Sequence, residues 1–217
     1  MILAQPLLGS TVKCEGNESD PYAFLTVLNL HQHRERKCIR QLTEYLLSKT
    51  KDSSTLMQLK ELLSPGSKAQ VGLILTERFI NMPHQIVPPM YNMLLEEIQW
   101  AVQENEPYAF SHYLIMSKTY TEVASQLDAE DSRPQKKKKG KVETETFYFH
   151  PEDEVLHKHA LAYGSFEYSK QSEEGASDAK RAFSELGVKP LGHMILIEGR
   201  RLEGAVKAVG EYLSEGS

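Results

Sequence analysis

Two stretches of this chain, residues 22–30 (YAFLTVLNL) and 108–116 (YAFSHYLIM), are apolar at odd and even positions alike. A strand with one face in water alternates polar and apolar residues; a strand that does not alternate is covered on both sides. Such strands need helices on both faces of one sheet, and the sequence supplies them. Residues 35–49 place Cys38, Ile39, Leu42, Tyr45 and Leu46 at helical spacing, and residues 53–63 do the same with Leu56, Leu59, Leu62 and Leu63. Asp52, Ser53 and Ser54 cap the second of these, and Pro65-Gly66 ends it.

Residues 72–91, GLILTERFINMPHQIVPPMY, organise the middle of the chain. They continue a short apolar strand (71–75), turn through Thr76, Glu77 and Arg78, and enter a helix over residues 88–103. The pair Pro88-Pro89 suits that entrance, where proline presets φ and its missing N–H costs nothing. Met90, Leu94, Ile98 and Ala101 form the apolar stripe of this helix. Further strands are expected at 10–14, 144–149, 161–168 and 193–197. Further helices are expected from Pro151, near 178–186 and over 201–213, where Leu202, Ala205, Val206, Val209 and Leu213 recur. The turn-rich residues 15–21 make the first two strands a hairpin, so the sheet is mixed. The expected fold is α/β (α+β): one domain over 1–217, with a seven-stranded mixed sheet flanked by helices on both faces.

Charge is unevenly distributed. The formal net charge is −5, but Lys136, Lys137, Lys138, Lys139 and Lys141 lie in one run; without them 20 cations face 30 carboxylates, or −10. An acidic body steers basic partners toward itself and disfavours nucleic acid. Residues 124–142, which hold the lysine run, have no apolar periodicity and are expected to be a mobile basic loop. Residues 170–178 are expected to be a second polar loop. The lysine run reads as a nuclear localisation signal that importins would bind; a solvated loop and a phosphate site are the alternatives. No apolar run is long enough to cross a bilayer, and MILAQPLLG lacks the basic start of a signal peptide. Two cysteines, Cys14 and Cys38, are too few for a disulfide framework or a metal cage and point to a reducing compartment.

Catalytic chemistry is not legible. There is no P-loop, nucleophile elbow or dinucleotide-binding glycine pattern. His31-x-His33 and His157-x-His159 have chelating spacing without third and fourth ligands, so neither a metal nor a cofactor is expected. His112 reads as a hydrogen-bonded core histidine. Gly199 to Gly204 could hold a phosphate at a helix N-terminus, although Glu203 opposes it.

Residues 72–91 are similar almost position for position to the central motif of the BCCIP family, GLLLSERFINxPxQIxxPMY. FLTVLNL (24–30), YLIMSKTY (113–120) and the lysine-rich insert before 143–149 match in order, and the early segment is similar to the fungal branch. The resemblance spans residues 10–213 and is weak after 170. It implies a fold resembling GNAT-type acetyltransferases without a working acetyl-CoA site, and an acidic N-terminal extension that this sequence lacks. It implies a nuclear protein, shuttling to the cytoplasm, that chaperones one basic ribosomal protein of the large subunit, the fourteenth in the universal naming. It also implies support for nuclear export of a phosphatidylinositol phosphate kinase. Animal members bind a recombination mediator and a cyclin-dependent kinase inhibitor. No catalytic residue carries over, and neither nucleic acid nor membrane is an expected partner.

The expected partner-binding surface is the turn after the third strand: Glu77, Arg78, Phe79, Ile80, Met82 and Pro83. Here Phe79, Ile80 and Met82 supply apolar anchors unless they belong to the core. The alternative activity is a GNAT-like acyltransferase using acetyl-CoA, for which Arg201 with Gly204 is a near miss because Val206 fills the next small position. Replacing Lys136 to Lys139 by alanine is expected to abolish nuclear accumulation of a fluorescent fusion; unchanged accumulation would refute the localisation signal.

Overall fold

The protein is described from a computed structural model covering residues 5, 7–16, 18–51, 53–79, 81–122, 146–169 and 188–215. Among the described residues seven strands form one sheet: β1 (Ser10–Val12), β2 (Ala23–Asn29), β3 (Val71–Arg78), β4 (His112–Glu122), β5 (Thr146–Tyr148), β6 (Ala162–Phe166) and β7 (Val188–Glu198). The order is β1-β2-β3-β4-β7-β6, with β5 also paired to β4. Every pairing is antiparallel except β3–β4, so the sheet is mixed and mostly antiparallel. The first two strands form the expected hairpin, with Val12 opposite Ala23.

The two-faced apolar strands do bury both sides. Helices α1 (Lys37–Lys49) and α2 (Ser53–Leu62) cover one face, packing Ile39, Leu46 and Leu59 on Leu28, Leu73, Leu114 and Leu196. Helices α3 (Val87–Gln103), α4 (Pro151–Lys158) and α5 (Gly199–Glu215) cover the other, packing Leu94, Leu156 and Val206 on Val27, Ile74, Ile115 and Ile195. Neighbouring strand residues such as Leu73 and Ile74 serve opposite cores, which is why alternation is missing from the sequence. Each such fully buried aliphatic side chain contributes roughly 1.5–3 kcal/mol of transfer free energy.

Four expectations are corrected. Thr76, Glu77 and Arg78 are not a turn: β3 runs through Arg78, opposite Leu25, Phe24 and Ala23 of β2. The strand expected from residue 108 starts at His112. Before it, Tyr108 and Phe110 form edge-to-face contacts instead of a strand (Tyr108–Phe110 5.9 Å, Phe110–Tyr113 5.3 Å) while Ser111 N–H donates to Gln70 O at 2.9 Å. His112, at the head of β4, is half-buried and hydrogen-bonded to Ser111 Oγ at 3.0 Å rather than set in the core. Helix α3 begins one residue before the proline pair, after a 3-10 turn (His84–Ile86). The basic loop at 124–142, the polar loop at 170–178 and the helix near 178–186 lie outside the described residues.

The start of α5 is fixed by close backbone approach. Gly199 N–H donates to Ser111 O at 2.7 Å, and a Cβ on Gly199 would sit 2.4 Å from Phe110 O. Only glycine fits there, and the N–H that a phosphate would need is already committed to the protein.

Candidate functional site

The parallel strands β3 and β4 share a ladder only from Val71/His112 to Ile74/Ile115, yet both continue. Beyond that point β3 stays with β2 and β4 stays with β7, so the sheet parts between them. The opened edge of β4 is taken by β5, with Thr119 opposite Tyr148, and Phe149 N–H donates to Lys118 O at 2.9 Å. The chain then turns at His150 into α4, whose first turn carries Glu152, Asp153 and Glu154 near the positive end of the helix dipole.

That first turn is tied to both parted strands. From β3, Arg78 Nε and Nη2 donate to Glu152 Oε1 and Oε2 at 3.1 and 3.0 Å, and Nη1 donates to Met82 O at 3.3 Å. From β4, Ser117 Oγ donates to Asp153 Oδ2 at 2.7 Å. The Arg78–Glu152 pair is buried, with side chains 9% and 8% exposed. Asp153 is buried too, and that burial raises its carboxyl from the ordinary 3.8 to about 7 against the opposing Ser117 hydrogen bond. Tyr91 of α3 is fully buried beside these carboxylates, and desolvation followed by their charge pushes its phenol well above the usual range. Across the outer side, Glu77 pairs with Lys118 and lies 3.5 Å from His150 Nε2. Burial lowers the His150 pKa in spite of the Glu152 and Glu77 charges.

Outside this plug is a shallow cleft of about 390 Å³, lined chiefly by Tyr22, Phe24, Glu77, Phe79, Lys118 and Phe149. Phe24 and Glu77 are paired across β2 and β3, on the face that α1 and α2 cover only at its other end. Phe79 is 57% exposed and Phe24 40%. The Tyr22 and Phe79 rings meet edge-to-face at 5.7 Å, and Phe79 N–H donates to Tyr22 O at 3.1 Å. Lys118 Nζ lies 5.8 Å from the Phe149 ring centroid. The cleft therefore offers ordered aromatic surface whose one carboxylate is already neutralised.

The model of the BCCIP family matches residues 1–156. Protein bcp1 of Emericella nidulans is 61% identical over 216 residues, covering 99% of this chain and 74% of its own. Protein bcp1 of Schizosaccharomyces pombe is 48% identical over 219 residues, covering 99% and 77%. The chain belongs to the BCCIP family. The crystal structure of BCP1 from Saccharomyces cerevisiae superposes with a TM-score of 0.58 at 22% identity, over 96% of this chain and 72% of that one. At that identity the likeness concerns the fold.

Within this BCCIP chain the residues expected to bind partners divide. Phe79 stands exposed in the cleft, and Glu77 lines it while held by Lys118. Arg78 alternates to the opposite face and is spent on Glu152, inside the protein. Met82 is half-buried, its N–H donating to Phe79 O at 3.0 Å, and Pro83 is exposed before the 3-10 turn. Ile80 and Lys136, Lys137, Lys138, Lys139 and Lys141 lie outside the described residues. Sequence reasoning missed Tyr22, Phe24, Lys118 and Phe149, which come together only because β3 and β4 part. It also missed a histidine pair: His157 Nδ1 lies 2.9 Å from His193 Nε2, and Ser165 Oγ lies 2.8 Å from His193 Nδ1. Burial, then the neighbouring His157, lowers His193 to about 4. The His157-x-His159 spacing gave no hint of this partner. Among the described residues no three of His, Cys, Asp and Glu are grouped to hold a metal.

Two outcomes are expected of the plug. Arg78→Ala strands buried carboxylates and should destabilise the fold by roughly 3–5 kcal/mol in urea titrations at pH 7.5. Asp153 has a raised carboxyl pKa, so folding takes up its proton between about pH 4 and 7, and its contribution to stability is lost as pH rises through that window. Asp153→Asn should therefore gain stability relative to the parent as pH is raised from 4 to 7, a difference that the histidines shared by both proteins do not produce.

Proposed function

We propose that this BCCIP-family protein is a non-catalytic protein-binding module that chaperones a basic ribosomal protein of the large subunit, the fourteenth in the universal naming. The observation that carries the reading is the aromatic cleft at the parting of β3 and β4: Phe24 of β2, with Tyr22, Phe79 and Phe149 at the ends of β2, β3 and β5, forms an aromatic patch open to solvent. Aromatic side chains of this kind supply most of the energy of protein interfaces at low entropic cost. An acidic body adds attraction for a cationic client, which raises the association rate more than the final affinity. By holding the client's apolar and basic surface, the protein keeps it soluble until assembly. Nuclear entry through importin recognition of Lys136 to Lys139 and Lys141, return to the cytoplasm, and support for export of a phosphatidylinositol phosphate kinase complete the proposal.

The acyltransferase reading loses ground at the same place. A GNAT-like acyltransferase would cradle the cofactor pyrophosphate in free backbone N–H groups at a strand–helix junction. Here the first turn of α4 carries Glu152, paired with Arg78, and Asp153, bound to Ser117 of β4, while the N-terminus of α5 has its Gly199 N–H bonded to Ser111. The two carboxyl groups are committed to Arg78 and Ser117, and the Gly199 N–H is not free to cradle a pyrophosphate.

Co-elution with the basic ribosomal protein, in size exclusion with light scattering at low and moderate salt, tests the reading. A complex of defined stoichiometry is expected. Phe79→Ala should weaken it about tenfold, the worth of one anchor of roughly 1.4 kcal/mol, with folding unchanged because Phe79 is exposed. Separate elution at low salt would overturn the chaperone assignment, and full binding by Phe79→Ala would remove the cleft from the interface.

A further inference from the structure

The charges of the aromatic cleft itself are paired, Glu77 with Lys118 and Arg78 with Glu152. A run of carboxylates without a cation lies along α3. Between Arg78 and Lys118 the chain has no lysine or arginine, but it has Glu96, Glu97, Glu104 and Glu106. Two of these, Glu104 and Glu106, sit at and just beyond the C-terminus of α3, where the helix dipole is already negative and a carboxylate is disfavoured. Glu97 is engaged inward, accepting from Gly9 N–H at 2.8 Å and Ser10 Oγ at 3.2 Å. Glu96 and Glu104 are exposed.

The same helix exposes large apolar side chains between those carboxylates. Met93 is 48% and Trp100 62% exposed. They are seven residues apart, two turns, so they share one stripe with Glu96, Glu97 and Glu104 beside it. The inner face of α3 is satisfied by Tyr91, Leu94 and Ile98, so this stripe is surplus to the core. A single exposed apolar residue is ordinary; a tryptophan and a methionine aligned on a helix whose only charged side chains are carboxylates are the composition of a binding surface. Tryptophan is also the side chain most enriched among interface anchors.

We infer that the Met93–Trp100 stripe of α3 is a docking surface for a cationic amphipathic segment of a partner protein. Its apolar side chains cover Trp100 and Met93, and its lysines or arginines meet Glu96 and Glu104. The inference rests on the proposed function for the identity of the partner, a basic client, and adds where that client's charge is met. Glu97 ties the stripe to the start of β1, while the cleft opens at the start of β2. The two surfaces thus flank the β1–β2 hairpin on opposite faces of the sheet. A client that fills both passes over that edge.

Trp100 is the only tryptophan in the chain, so its emission reports the stripe directly. The probes are a tryptophan-free helical peptide of leucine and lysine, its leucine–glutamate counterpart and a lysine-only peptide, each titrated into the full chain. The leucine–lysine peptide is expected to bind with a blue shift of Trp100. The Glu96→Lys/Glu104→Lys double variant should lose at least tenfold in affinity, Met93→Ser should weaken binding, and the glutamate peptide should give no shift. Binding without a change in Trp100 emission, unchanged affinity in the double variant, or an equal shift with the lysine-only peptide would each overturn the inference. Co-elution of the ribosomal client with Trp100→Ala separates the two claims. A client that binds the parent and Trp100→Ala equally refutes the α3 surface and leaves the chaperone reading intact. A client that binds neither refutes the chaperone reading, while the peptide titration still decides the surface.

Discussion

Past Ile74 and Ile115 the strands β3 and β4 no longer bond to each other, and the opening between them must be filled. Two devices that follow one another in sequence fill it. β5 completes the ladder along β4, and α4 inserts its first turn beside β3. The Arg78–Glu152 pair and the Ser117–Asp153 hydrogen bond hold the two halves of the sheet to this insert. Isolated buried charges would be costly; a bidentate pair offsets much of that cost through its geometry. Asp153 shows what remains uncompensated, since its carboxyl keeps its proton to about pH 7.

The parting also makes the surface. Were β3 and β4 paired to their ends, Phe24, Glu77 and Lys118 would lie on a flat sheet face. Instead Phe149 comes over Lys118, and Phe79 follows the end of β3 into contact with Tyr22, which gives the cleft its walls. Strand alternation thereby divides neighbouring residues: Arg78 faces inward to α4, while Glu77 and Phe24 face outward on the opposite side. Adjacent residues of one motif serve different ends because successive side chains of a strand point to opposite faces.

The helical side of the molecule carries a second division. The inner stripe of α3 belongs to the core, and its flank holds exposed Met93 and Trp100 among carboxylates with no cation on the helix. In the proposed binding mode the aromatic cleft offers apolar contact, and the α3 stripe adds charge recognition to its own apolar anchors, for different parts of one extended partner. That partition matches how interfaces work: buried anchors set affinity, and surrounding charge sets encounter and selectivity.

The sequence by itself determined the layers. Strands without alternation required helices on both faces, helical spacing located α1, α2, α3 and α5, and the motif at 72–91 carried the family resemblance. These are local properties, written in the period of apolar residues. Only the tertiary structure decided that β3 continues through Arg78, that Arg78 is an internal ion-pair partner, and that Tyr22, Phe24, Lys118 and Phe149 meet. Likewise only the fold paired His157 with His193 and left Trp100 outside the core. The physical reason is common to all of them. Each depends on where two parallel strands stop pairing or on which flank of a helix its neighbours cover, and neither is a function of the residues within one segment.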